Sequence, residues 1–121
     1  MERETVRTYE DLNCYKLCKS LRNRIRQITS TFNPNEKFRL TDQMIRCSRS
    51  VTNNIAEGYG RFHFKENAQF CRQSRGSLYE LLDHVSIAFE EELINETECL
   101  YLENEIKNCI RVLNGYIKYL T

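Results

Sequence analysis

The chain reads as an all-α protein, an antiparallel up-and-down four-helix bundle. Three observations predict this. Apolar residues recur at helical spacing in four windows, about 9–31, 41–57, 64–91 and 96–120. No segment alternates with the two-residue period of a strand. Four glycines and one proline in 121 residues leave few turns, which suits only a fold of long elements. The length fits one domain with a sizeable core, so residues 1–121 are taken as a single unit.

In the first window Thr8 is the expected cap, with Asp11 reaching back three residues later. Cys14, Leu17, Cys18, Leu21, Ile25, Ile28 and Phe32 share one arc at 100° per residue. Lys16, Lys19, Arg22 and Arg26 share another, giving a basic outer stripe. Asn33-Pro34-Asn35-Glu36 predicts a single turn with Asn33 as its cap. The second window opens with Thr41 as N-cap and Asp42 at the positive helix end. Gly58 and Gly60 are expected to close it through the left-handed conformation. Its apolar arc is Met44, Cys47, Val51 and Ile55, with Ser48 among them.

Phe70, Ser74, Leu78, Leu81, Val85, Ala88 and Phe89 line the inner side of the third window. The helix dipole opposes Glu90-Glu91-Glu92 at its end, so fraying is expected there. Asn95 and Glu98 form a cap-and-return pair before the fourth window. There Cys99, Leu102, Ile106, Cys109, Ile110, Leu113, Ile117 and Leu120 make one arc.

Composition excludes several classes. With 40% hydrophobic and 29% charged residues the chain is neither disordered nor membrane-like. No apolar run approaches the roughly 18–20 residues of a membrane span. The opening Met1-Glu2-Arg3-Glu4-Thr5 is too charged for a secretory leader, so the cytoplasm is the expected location. Each of the six cysteines falls at or beside an apolar stripe, and none forms a Cys-x-x-Cys pair. Cys14 and Cys18, one turn apart, have nothing nearby in sequence to complete a metal site. The cysteines are read as free, structural thiols, and no metal or cofactor is expected.

The near-neutral total hides a polarity. Residues 1–75 carry 15 Lys and Arg against 8 Asp and Glu, while residues 76–121 carry 3 against 9. A basic surface for an anionic partner would produce this. So would complementary faces that meet between copies, or oppositely charged helices lying side by side.

The second window departs from ordinary bundle sequence. Beside its apolar arc, Gln43, Arg46, Ser50, Asn54 and Glu57 span only about 80° of the wheel. The third window offers a matching strip of Gln73, Ser77, Glu80 and His84. Gly76 stands next to Ser77, and a mid-helix glycine costs about 1 kcal/mol of helix propensity. Close helix approach there is the expected return for that cost. Together the two strips predict a partly buried polar seam in which Arg46 pairs with Glu57 or Glu80. Such a network has to be satisfied throughout. Its expected role is packing register rather than chemistry.

Gln43, Arg46, Ser50-Val51 and Asn54-Ile55-Ala56-Glu57-Gly58-Tyr59-Gly60-Arg61 resemble the signature of the 23S rRNA intervening-sequence protein family. Phe70, Gly76-Ser77-Leu78, Glu80-Leu81 and the opening Tyr9-Glu10-Asp11-Leu12 extend the resemblance over nearly the whole chain. The chain departs from the pattern at Ile45-Arg46-Cys47-Ser48, where members often have a second Arg or an Ala-rich run. Ser74 likewise replaces a common alanine. The resemblance implies a four-helix protomer in a homopentameric ring. It also implies kinship with an accessory protein of diversity-generating retroelements, which binds a reverse transcriptase and nucleic acid.

Three functions follow as expectations. The first is a non-enzymatic, ring-forming scaffold that contacts RNA or a nucleic-acid-processing protein through Lys16, Lys19, Arg22 and Arg26. The second is a purely structural self-assembly module, motivated by Tyr15, Tyr79, Leu100 and Tyr101 lying off the main apolar arcs. The third is a metal-dependent bundle enzyme. Di-iron bundles need two Glu-x-x-His pairs, whereas this chain has only His63 and His84, and Glu80 stands four residues from His84. No glycine-rich phosphate loop or nucleophile–base pair can be placed, so no enzyme is expected.

Overall fold

The computed structural model describes residues 5–121 and contains four long helices and no strand among them. The charged opening, Met1–Glu4, lies outside the described residues. Helix α1 spans Asn13–Thr29, α2 Asp42–Gly60, α3 Phe64–Glu90 and α4 Glu96–Leu120. Contacts are most extensive between α2 and α3, followed by α3 with α4 and α1 with α2. Contact between α1 and α4 closes the square. Consecutive helices are therefore antiparallel neighbours, as short connections require.

The first window is shorter than its periodicity suggests. Tyr9–Asp11 form one 3-10 turn, and Leu12 is extended with ψ 132° before α1 begins. Asp11 does turn back: its carboxylate accepts the backbone N–H groups of Arg7 at 2.8 Å and Thr8 at 3.1 Å. Those two donors hold its carboxyl below the usual carboxylate value. The Pro34–Glu36 turn is present, and the Asn33 side chain accepts from the Asn35 N–H at 3.0 Å. A wide π-type turn, Lys37–Thr41, then runs into α2. Thr41 has helical angles and no capping bond, so it is not a terminal cap. The chain turns instead at Arg39, whose φ and ψ are both −114°.

Neither glycine at the end of α2 has positive φ; the left-handed residue is Phe62, at φ 58°. Helix α3 does not end loosely. Glu92 takes φ 62°, its N–H bonds the Phe89 carbonyl, and the Leu93 N–H bonds the Ala88 carbonyl at 2.8 Å. This paired closure satisfies carbonyls that fraying would leave open. The Asn95–Glu98 reciprocal cap is made in both directions, at 3.0 and 2.8 Å.

Every residue of the α4 arc is buried. Leu21, Ile25, Met44, Val51, Ile55, Leu78, Leu81, Val85, Leu102, Ile106 and Leu113 fill the centre. Each contributes roughly 1.5–3 kcal/mol of transfer free energy, and truncating one such leucine to alanine costs about 2–5 kcal/mol. Two side chains depart from expectation. Tyr15 is buried, edge-on to Tyr9 with ring centroids 4.8 Å apart, and Phe89 is 42% exposed.

All six cysteines are free and buried. Burial, with the Cys71 thiol nearby, pushes Cys14 up to about 12. The Cys109 thiol and then burial push Cys18 higher still. Cys14 and Cys18 are thereby held as protonated, inert fillers of the core.

Candidate functional site

Antiparallel α2 and α3 meet along a ladder of specific contacts. Near one end, Gly58 lies against Asn67 and Phe70. A Cβ at Gly58 would come within 2.8 Å of Asn67 Oδ1, 2.9 Å of Phe70 Cβ and 3.0 Å of the Asn67 carbonyl. This is the close approach that the sequence placed at Gly76, where a Cβ would meet nothing within 4 Å. Midway, buried Ser74 donates its hydroxyl to the Val51 carbonyl at 2.7 Å. Further along, the Ser50 and Ser77 hydroxyls are 3.0 Å apart. Asn54 Nδ2 donates to the Ser50 carbonyl at 2.9 Å and to its hydroxyl at 3.2 Å. The Cys47 thiol donates to the Ser77 carbonyl at 3.0 Å.

Beside these contacts the two helices line a cleft of about 440 Å³ with Gln43, Arg46, Cys47, Ser50, Ser77, Glu80 and His84. Six of the nine predicted seam residues face this one cavity. The other three do not line it. Asn54 braces Ser50, exposed Glu57 pairs with Arg61 at 3.3 Å, and Gln73 is exposed. Arg46 pairs with neither Glu57 nor Glu80. Its Nε meets Asp42 at 3.0 Å, one turn back on its own helix. That intrahelical spacing needs no cross-helix reach.

Cys47 was legible only as an apolar-arc residue, yet it sits at the floor of the cleft and is 4% exposed. Burial pushes its thiol up to about 12, and the negative charge of the neighbouring Glu80 carboxylate adds to the rise by disfavouring the thiolate. Across from it His84 is 9% exposed, with Nε2 3.8 Å from Glu80 Oε2. Cys47, Glu80 and His84 each place one potential ligand atom within 4.8 Å of the others. The spacing of Glu80 and His84 was visible in the sequence; their convergence with Cys47 required the register of two helices.

The basic stripe lies apart from this cleft. Lys16, Lys19 and Arg26 are exposed on α1, while half-buried Arg22 donates to Thr52 Oγ1 at 2.9 Å and so ties α1 to α2. Lys19, Arg26 and the exposed Arg49 enter no salt bridge among the described residues. The salt bridges Arg39–Glu36, Arg46–Asp42, Arg61–Glu57 and His84–Glu80 all join residues three or four apart. Basic α1 and α4 are neighbours. Arg24 bridges them by lying 5.2 Å over the Tyr101 ring and donating to its hydroxyl at 3.2 Å.

A third feature occupies the end of the bundle where α2 and α4 finish and α3 begins. Phe62 is 84% exposed, Tyr119 68% and Phe64 57%. The Phe64 and Tyr119 rings lie 5.5 Å apart and the Tyr116 and Tyr119 rings 6.1 Å apart. They border an apolar cleft of about 780 Å³ that reaches down to Asn67 and Tyr116. The Tyr116 hydroxyl accepts from Asn67 Nδ2 at 2.9 Å, and burial pushes its ionisation up to about 12. The sequence pointed instead to Tyr79, Leu100 and Tyr101, which are also exposed. No helix of the described residues is long and apolar enough to cross a membrane.

A family model described as 23S rRNA-intervening sequence protein matches residues 10–115. The match covers α1, α2, α3 and most of α4, and the chain belongs to that family. No curated protein matches it.

Proposed function

As a member of the 23S rRNA-intervening sequence protein family, we propose, this chain is a non-enzymatic, self-assembling helical module of the cytoplasm that presents its α1 cations to RNA. The observation that carries self-assembly is the aromatic end. A bulky residue in the left-handed region costs roughly 1–2 kcal/mol, yet Phe62 adopts it and holds its ring in solvent. Phe64 and Tyr119 extend that apolar surface. Exposed aromatics grouped around a cleft are what subunit contact covers. A closed ring, of five copies as the family resemblance implies, lets one patch meet a different patch on each neighbour without leaving open ends.

The α1 face supports the RNA contact. Lys19, Arg26 and Arg49 are exposed without acidic partners among the described residues, and Lys16 and Arg22 continue the stripe. Copies around a ring multiply individually weak phosphate contacts. The total charge of +1 suits a module whose attraction is local to one face.

Light scattering after size exclusion tests the assembly. A closed oligomer is expected, and Phe62→Ser with Tyr119→Ser should reduce it to monomer. A clean wild-type monomer at micromolar concentration overturns the reading. Titration of structured RNA at about 50 and 200 mM salt tests the second part, because phosphate contacts weaken steeply over that range. Binding that ignores salt refutes it. A stable ring that binds no RNA leaves the self-assembly module alone standing.

A further inference from the structure

We propose that Cys47, Glu80 and His84 form a three-ligand site for a borderline-soft divalent cation of the zinc type, its fourth position facing the α2–α3 cleft. This goes beyond the assembly reading, which needs no metal.

The geometry comes from both helices. Glu80 and His84 are four residues apart, so they share one face of α3. Cys47 arrives from α2, set opposite them by its bond to the Ser77 carbonyl and by the Ser74–Val51 bond below. The three potential ligand atoms lie within 4.8 Å of one another. Tetrahedral zinc with bonds of about 2.0–2.3 Å needs ligand atoms about 3.3–3.6 Å apart. Side-chain movement alone can close that difference. Glu80 is free to swing, with its side chain 63% exposed, and its Oε2 is already 3.8 Å from His84 Nε2.

A second observation points to a missing partner. Buried His84 Nδ1 has no hydrogen-bond partner, and its Nε2 is too far from Glu80 to form one. A buried imidazole nitrogen without a partner is costly. A cation held on either nitrogen leaves the other to carry the ring proton, so the imidazole gains a partner that the fold alone does not give it. Nearby charge does not oppose this, because Arg46 is turned toward Asp42 at 3.0 Å.

The ligand set also selects the ion. Magnesium and calcium require oxygen donors. A thiolate with an imidazole favours zinc and its neighbours. Three protein ligands leave one position open, which here faces the cleft bordered by Gln43 and Ser50. Among the described residues no other three His, Cys, Asp or Glu side chains converge this closely.

The test uses the full chain, stripped by chelator, kept reduced and titrated with cobalt(II). About one ion per chain should bind, with a thiolate-to-cobalt charge-transfer band in the near ultraviolet and the visible bands of four-coordinate cobalt. Added zinc should abolish both. Cys47→Ser should lose the ultraviolet band. Glu80→Gln and His84→Gln should weaken binding by at least about tenfold, the loss that even a supporting partner can cause. Circular dichroism checks that each variant is folded. If Cys47→Ser does not fold, exposed Glu80→Gln carries the test, and unchanged affinity there overturns the proposal. No uptake by wild type, or an ultraviolet band that persists in folded Cys47→Ser, also overturns it. Light scattering on Cys47→Ser separates this from the assembly reading, since the ring should survive loss of the metal.

Discussion

The α2–α3 seam has two ends built to different rules. At the Gly58 end the helices touch through backbone, with room for a hydrogen atom and nothing larger. Polar groups there are paired: Asn67 donates to Tyr116, and Ser74 to Val51. At the Cys47 end a cleft opens between side chains of the two helices, and the buried Nδ1 of His84 lacks a hydrogen-bond partner. The same two helices thus combine a region optimised for packing with one that is not. Unsatisfied buried groups cost stability, so their retention at one end only marks that end as the place to look for a ligand.

Substitutions can break this contrast. The largest effect is expected from Gly58→Ala. Asn67's amide can swing aside, but Phe70 Cβ and the Asn67 carbonyl belong to α3 itself. Overpacking of this kind costs about 1–3 kcal/mol, which chemical unfolding would measure. Alkali should produce a loss of comparable size at the closed end. Burial pushes the Cys71 thiol from its ordinary 9.0 up to about 11. Below pH 9 the thiol is protonated in both states and its stabilising contribution is fully present. Above pH 9 the unfolded chain ionises first, so that contribution falls progressively as pH rises toward 11. A Cys71→Ala variant should show a shallower decline in unfolding free energy over that window.

Two smaller changes sharpen the comparison. Ser74→Ala removes the bond to Val51 and should destabilise by about 1 kcal/mol. Gly76→Ala, two residues from Ser74 but facing open space, should stabilise by about 1 kcal/mol through helix propensity. Opposite signs for Gly58→Ala and Gly76→Ala would locate the close approach where the structure puts it. The smallest effect belongs to the open end. Glu80→Gln in metal-free protein should change stability by less than about 0.5 kcal/mol, as exposed positions usually do.

What the sequence made legible follows from the range of the forces involved. Helix α4 was readable throughout, because its cap joins Asn95 to Glu98 and its apolar arc has a single period. The seam was readable as a pattern, since small polar residues at helical spacing stand out from a solvent face. Its pairing was not. Arg46 had acids in reach on several turns, and only the fold selects Asp42. Gly58 looked like a helix stop because glycine often is one; its real constraint comes from Phe70 and Asn67 on another helix. Cys47 belongs to both the apolar arc and the cleft, and periodicity reports only the first. The aromatic end was missed for a related reason: Phe62 and Phe64 stand where α3 begins and Tyr119 where α4 ends, and the two groups meet only in space.

The contrast between the two ends is tested most directly by urea unfolding of wild type, Gly58→Ala and Cys47→Ser, each with and without zinc. Zinc at about 100 times its dissociation constant should add about 2.7 kcal/mol to wild type. Gly58→Ala should gain the same increment from its lower starting point, and Cys47→Ser should gain none. An equal gain in Cys47→Ser, or no gain in wild type, would contradict the account.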